Sequence, residues 1–248
     1  MPSSRQSIYY LIMLNAFIFS LSFQFHIHQL QGLALYFPLN ANFHYWQIIT
    51  HMFMHGSLMH ILFNMFALYS FGTPLESSWK TPRFLLFYFV TGIGAALIYS
   101  AANYYQFTVI SDQIMALGYS AEQIQSILNS GLVDNYLVNR LGKDTLLEFI
   151  SIYNTPAIGA SGAMYGVLVA FAFSYPNAKL SLIFLPVPIK AKYFVPAIIC
   201  GDLFFGVTKY SIGNIAHFAH VGGALTALCI MVGYRVYRKN NKPKLPEY

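Results

Sequence analysis

Apolar residues fall along this chain in six long runs separated by short polar segments. On hydropathy and length the runs predict membrane-crossing helices at about 7–25, 57–73, 84–102, 156–175, 191–208 and 213–234. No run repeats another and no long linker separates them, so residues 1–248 are expected to form one domain. The opening stretch "MPSSRQSIYYLIMLNAFIFSLSF" is read as the first span, not a cleaved leader, because its apolar run is long and no convincing small-residue cleavage site follows. The second and fourth runs are short or glycine-rich, which suits helices shielded from lipid by their neighbours. The expected fold class is an all-α membrane protein, a bundle of six transmembrane helices.

One polar interval is long. Between the third and fourth spans, residues 103–155 include "SAEQIQSILNSG". Ser120 and Gln123 have the spacing of a capping box, Ile124, Ile127 and Leu128 share an apolar face, and Gly131 reads as a stop. A second helical stretch is expected around Leu137–Tyr153. This outer loop is either a decoration packed on the bundle or a lid or substrate-docking element.

Composition agrees with the pattern. The chain is 56% hydrophobic and only 9% charged, against roughly 25% charged in soluble domains. Its mean hydropathy is +0.51. An integral membrane protein in contact with a lipid bilayer is the expected class. The isoelectric point near 9.2 does not signal nucleic acid, because the basic residues occupy short loops and the C-terminal tail with no patch interleaved with aromatics. They report topology instead. With the N-terminus in the cytoplasm, Arg5, Lys80, Arg83, Lys179, Lys190, Lys192, Arg235, Arg238, Lys239, Lys242 and Lys244 lie inside, and only Arg140, Lys143 and Lys209 lie outside. Both termini are then cytoplasmic, in what is expected to be a bacterial plasma (inner) membrane. Cys200 and Cys229 sit in apolar spans without a CxxC motif and read as packing residues.

That topology brings polar residues together. The second, fourth and sixth spans enter from the outer side. At 1.5 Å per residue, Ser161 lies about 8 Å below the start of its span, and Asn64 and His220 about 10–12 Å below theirs. His60 and Asn64 are four residues apart in "MHILFNM" and share a face, and Tyr165 lies one turn after Ser161. Small residues stripe two of these helices: Gly162, Gly166 and Ala170 on one, Ala216, Gly223, Ala224 and Ala227 on the other. A serine among glycines is compatible with plain helix packing, and a lone histidine with a satisfied buried group. Strongly polar groups inside a membrane nevertheless mark functional candidates. A serine hydroxyl attacks only when a base accepts its proton, and a neutral histidine does that near pH 7. Asp202, on the fifth span, is the only acid within the expected spans, and nothing in its spacing brings it to the histidine. A two-residue Ser-His system is expected.

The segments "GASGAMYG", "HMFMHGSLMHILFNM" and "AHVGGALTAL", on the fourth, second and sixth spans, resemble the rhomboid family of intramembrane serine proteases. The likeness extends over all six spans, and "HYWQIITHMFMHG" is similar to the end of the family's first outer loop. The resemblance implies a serine endopeptidase that cuts near the outer end of substrate transmembrane segments. It implies Ser161 as nucleophile and His220 as general base, with His60 and Asn64 joining the Ser161 N–H in an oxyanion hole. Tyr165 would pack on the His220 ring, Gly159 would hold the strained backbone before the serine, and His55 would give polar support; His217 has no firm role. No cofactor or metal is implied. The partners would be transmembrane protein substrates.

Three other readings compete. A zinc protease would draw on His51, His55, His60, His217 and His220, but HExxH is absent and no acid lies near these histidines in sequence. A rhomboid-like non-catalytic factor that binds and routes membrane proteins typically lacks the serine or histidine, and both are present. A transporter or channel would show inverted repeats or a mid-membrane charge series, and neither is seen.

Overall fold

Backbone that cannot reach water must close its own hydrogen bonds, and the apolar runs of this chain do so as helices. The computed structural model describes residues 6–24, 32–182, 185–208 and 216–241. Helices α1 (Gln6–Gln24), α2 (Leu58–Trp79) and α3 (Thr81–Ala116) are followed by three short ones, α4 (Ala121–Ser130), α5 (Asn135–Leu141) and α6 (Lys143–Asn154). Then come α7 (Ser161–Ser174), a two-stranded hairpin β1 (Lys179–Leu182) and β2 (Leu185–Lys190), α8 (Ala191–Val207) and α9 (His217–Asn240). Among the described residues, α2, α3 and α9 are long and apolar enough to cross a membrane, and α1 and α7 contain shorter apolar stretches. Leu62, Phe63, Phe66, Leu86, Leu97, Phe204 and Leu225 are exposed on the helices. An outside this apolar belongs in lipid, and the chain is an integral membrane protein. Cys200 and Cys229 are both exposed rather than packed inside.

Several boundaries differ from the hydropathy reading, each for a local reason. Helix α2 runs past residue 73 through a π-helical turn at Leu68–Gly72, which accommodates Pro74 without an N–H to continue the α ladder. The extension brings in a second buried acid, Glu76. Its carboxylate accepts hydrogen bonds from the Ser7 N–H (3.1 Å), the Ser7 hydroxyl (2.6 Å) and the Thr81 hydroxyl (2.7 Å), which caps the start of α1 and ties three helices together. Helix α3 continues well beyond residue 102, because Asn103, Phe107, Ile110 and Ile114 keep a helical stripe after the apolar run ends. That stripe packs with Ile124, Ile127, Leu128, Leu137, Leu146 and Phe149 into a second small core.

The capping box at Ser120 and Gln123 is present, and Gly131 ends α4 in the left-handed region. The stretch expected around Leu137–Tyr153 is two helices, broken at Gly142 with φ +83°. Helix α7 is central, buried from Gly162 to Phe171 apart from Tyr165. Its small residues admit close neighbours: Gly162 faces Ala95 of α3, Gly166 faces Thr91 of α3, and Gly223 of α9 lies on the Gly162 backbone.

Candidate active site

Helix α7 begins later than its apolar run, at Ser161 itself. The residues before it are held out of the helix by neighbours: Leu35 and Ala157 exchange N–H···O bonds of 2.9 and 2.8 Å, and the Gly159 N–H donates to the His51 carbonyl at 2.9 Å. His51 in turn donates from Nδ1 to the Gln47 carbonyl at 2.8 Å, and the buried Gln47 side chain bonds the Tyr36 N–H and the Asn42 carbonyl. The loop before α2 thus clamps the loop before the serine. Gly159 has φ +123°, where a side chain is strained, and a Cβ there would lie 2.7 Å from His60 Nε2. At the first position of α7, the Ser161 N–H has no intrahelical acceptor and lies at the positive end of the helix.

His220, on α9, reaches the serine. Its Nε2 lies 2.8 Å from Ser161 Oγ. Tyr165 stacks on the imidazole with ring centroids 4.3 Å apart and planes 9° from parallel. Asp202 of α8 closes the other side of the ring, its Oδ1 3.1 Å from His220 Nδ1 and 2.6 Å from His217 Nδ1. The Tyr165 hydroxyl donates to Asp202 Oδ2.

The α2 residues lie opposite. His60 sits against Gly159, and Asn64 is buried, one amide N–H donating to the His60 carbonyl at 2.9 Å and the second left available. His55 meets His60 edge-on with centroids 5.0 Å apart, and neither of its ring nitrogens has a hydrogen-bond partner among the described residues. Burial pushes the His51 and His55 imidazoles down to about 4, so both are neutral near pH 7.

A cavity of about 670 Å³ opens over Ser161, His60 and His220. Its far wall is made by the long polar interval: Asn103 and Gln106 of α3, and Glu148, Ser151 and Ile152 of α6. The insertion is therefore part of the chamber around the serine. Of the histidines weighed for zinc, only His217 and His220 form a ligand-type group among the described residues, with Asp202. There both Nδ1 atoms are already spent on one carboxylate oxygen.

Sequence reasoning missed the contact between Asp202 and the two histidines. The one signal was a lone acid in an apolar run, costly enough to demand partners. Which helix face it occupies, and what lies across from it, is set by packing.

The family model described as Rhomboid domain matches residues 42–124 and 113–237. The chain is 30% identical over 151 residues to human "Presenilin-associated rhomboid-like protein, mitochondrial", a match covering 60% of this chain and 38% of that one. It is 25% identical to "Rhomboid protein 1, mitochondrial" of Saccharomyces cerevisiae over 79% of this chain and 43% of the relative. It is 24% identical to "Rhomboid protease AarA" of Providencia stuartii over 80% and 59%. The chain thus spans between 38% and 59% of the length of these relatives. The matched region nonetheless holds the serine, the histidine across from it and the helices that carry them, and the chain belongs to the rhomboid family.

Proposed function

We propose that this chain is a serine-type endopeptidase that cuts substrate transmembrane segments near their outer end, from a single six-span domain. The observation that carries the reading is the 2.8 Å approach of His220 Nε2 to Ser161 Oγ on the floor of an accessible cavity. Kinship with a relative named as a protease supports it. In the reaction, Ser161 Oγ attacks the scissile carbonyl carbon as His220 Nε2 takes its proton. The tetrahedral oxyanion is held by the Ser161 N–H with His60 and Asn64. His220 then returns the proton to the leaving amine, and water repeats the sequence to release the acyl group.

Orientation follows from charge. Lys80 and Arg83, Lys179, Lys190 and Lys192, and Arg235, Arg238 and Lys239 lie near helix ends or on the hairpin, and none of them lines the cavity. The cavity then faces outward, and in a bacterial plasma membrane the Gln6 and Asn240 ends lie in the cytoplasm. A peptide bond inside a helix is shielded by its own hydrogen bonds, so substrates are membrane proteins with helix-weakening residues near the outer end of a span. Gly or Pro in a helix costs about 1–3 kcal/mol, enough to raise the unwound population several-fold or more. Incubating the purified protein with a model single-span substrate and mapping the products by mass spectrometry tests this. The expected cut lies in the outer half of the span, and replacing its Gly or Pro by Leu suppresses cleavage. Binding without any cleavage, or a cut in the cytoplasmic half, would defeat the reading.

Asn64→Ala probes the oxyanion site. One lost donor typically costs about 2.7–4 kcal/mol of transition-state stabilisation, a rate loss of about 10²–10³. The maximal rate should fall by that much with KM and the unfolding temperature little changed. Full turnover in a protein that melts markedly earlier would make Asn64 a packing residue.

A further inference from the structure

Two groups facing Asp202 are imidazole Nδ1 atoms and the third is a phenol, and a carboxylate can only accept. Each Nδ1 directed at it must therefore carry a hydrogen. For His220 this has a chemical consequence. With the proton on Nδ1, the Nε2 lone pair points at Ser161 Oγ, 2.8 Å away, ready to receive the hydroxyl proton. In the opposite tautomer Nε2 bears hydrogen and cannot act as base. We infer that Asp202 is a positioning residue for the proposed hydrolysis: it holds His220 in the Nδ1–H tautomer and steadies the imidazolium that forms when Ser161 attacks.

The surroundings are built to keep that carboxylate still. Asp202 is buried to 9% exposure in an apolar helix, a placement that is expensive unless donors surround it. His217 holds Oδ1 at 2.6 Å from the first turn of α9, and His220 approaches the same oxygen at 3.1 Å one turn later. Tyr165 occupies Oδ2 with its hydroxyl while its ring lies flat on His220. The imidazole is thus fixed on an edge by Asp202, on a face by Tyr165 and at its tip by Ser161. Three helices, α7, α8 and α9, contribute. His217, which had no role from its sequence position, anchors the acid.

This inference rests on the proposed function, and its test separates the two. The protein is labelled with ¹⁵N-histidine in detergent micelles, and the His220 imidazole signals are assigned by their disappearance in His220→Ala. Wild type should show the Nδ1–H tautomer, and Asp202→Asn should shift His220 toward Nε2–H. With a model transmembrane substrate, Asp202→Asn should lower kcat between about 10² and 10⁴-fold, the upper figure being the loss when a soluble serine protease loses the same tautomer control. KM should stay within about twofold, since the carboxylate does not touch substrate. An unchanged tautomer, or a kcat within a few-fold of wild type, overturns the role of Asp202 while Ser161→Ala still abolishes turnover. If Ser161→Ala retains turnover, the proposed function itself falls. Should Asp202→Asn not fold, the wild-type spectrum decides alone: a predominant Nε2–H tautomer on His220 overturns the inference and Nδ1–H upholds it.

Discussion

Ser161→Ala is expected to reduce cleavage of a transmembrane substrate to background with the fold retained. The substitution removes one oxygen from the first position of α7, where the hydroxyl's recorded partner is His220 Nε2 at 2.8 Å. Alanine fits the backbone there as well as serine, so the unfolding temperature in detergent should move little. His220→Ala should be nearly as inactive, because a nucleophile without its base and a base without its nucleophile are equally idle. Loss of either member of such a unit costs about 10⁶ in kcat in a soluble serine protease. The combined variant should then be scarcely worse than either single one. Gel-based cleavage assays and labelling with a serine-directed fluorophosphonate report on the same hydroxyl, and both signals should vanish in Ser161→Ala. Wild-type turnover in that variant would remove Ser161 from the chemistry, and labelling without turnover would mean the probe reports another residue.

Legibility in the sequence tracked how local the cause was. The capping box at Ser120 with Gln123 and the stop at Gly131 are short-range hydrogen-bond chemistry, and both stand where the residues placed them. His60 and Asn64 on one face follow from helical spacing alone, and the stacking of Tyr165 on His220 was implied by family resemblance. Topology put Ser161 and His220 at similar depth, but contacts set by the detailed packing of two distant segments were out of reach. The late start of α7 comes from Leu35 pairing with Ala157 and from His51 holding Gly159, contacts that hydropathy does not encode. Asp202 meets His220 because α8 and α9 lie side by side with those faces together. The insertion from residue 103 to 155 could be cut into helices from its pattern, but its place as a wall of the cavity, with Glu148 and Ser151 facing in, is a property of the assembled chain.

Gly223→Ala is expected to damage stability and activity together, through a single methyl group. A Cβ at 223 would lie 2.7 Å from the Gly162 carbonyl carbon, and closer still to its oxygen. What it meets is backbone at the start of α7, so no side chain can rotate aside. The helices α7 and α9 must part. Overpacking of this kind typically costs about 1–3 kcal/mol, and the geometry here favours the upper end. The catalytic consequence follows from position. His220 is one turn before Gly223 on α9, and Ser161 is the residue before Gly162 on α7, so the contact that keeps these backbones close also sets the 2.8 Å spacing between imidazole and hydroxyl. A displacement of about 1 Å can cost about 10²-fold in rate. Gly233, farther along α9, supplies the control: among the described residues a Cβ there meets nothing within 4 Å, and Gly→Ala in an open helical position gains up to about 1 kcal/mol from helix propensity. Thermal unfolding and turnover measured side by side should show Gly233→Ala at or above wild type, and Gly223→Ala unfolding earlier with turnover down by about two orders of magnitude. Equal stability and equal rates for the two variants would mean that α7 and α9 do not touch backbone to backbone at Gly162, and that something other than this contact holds His220 against Ser161.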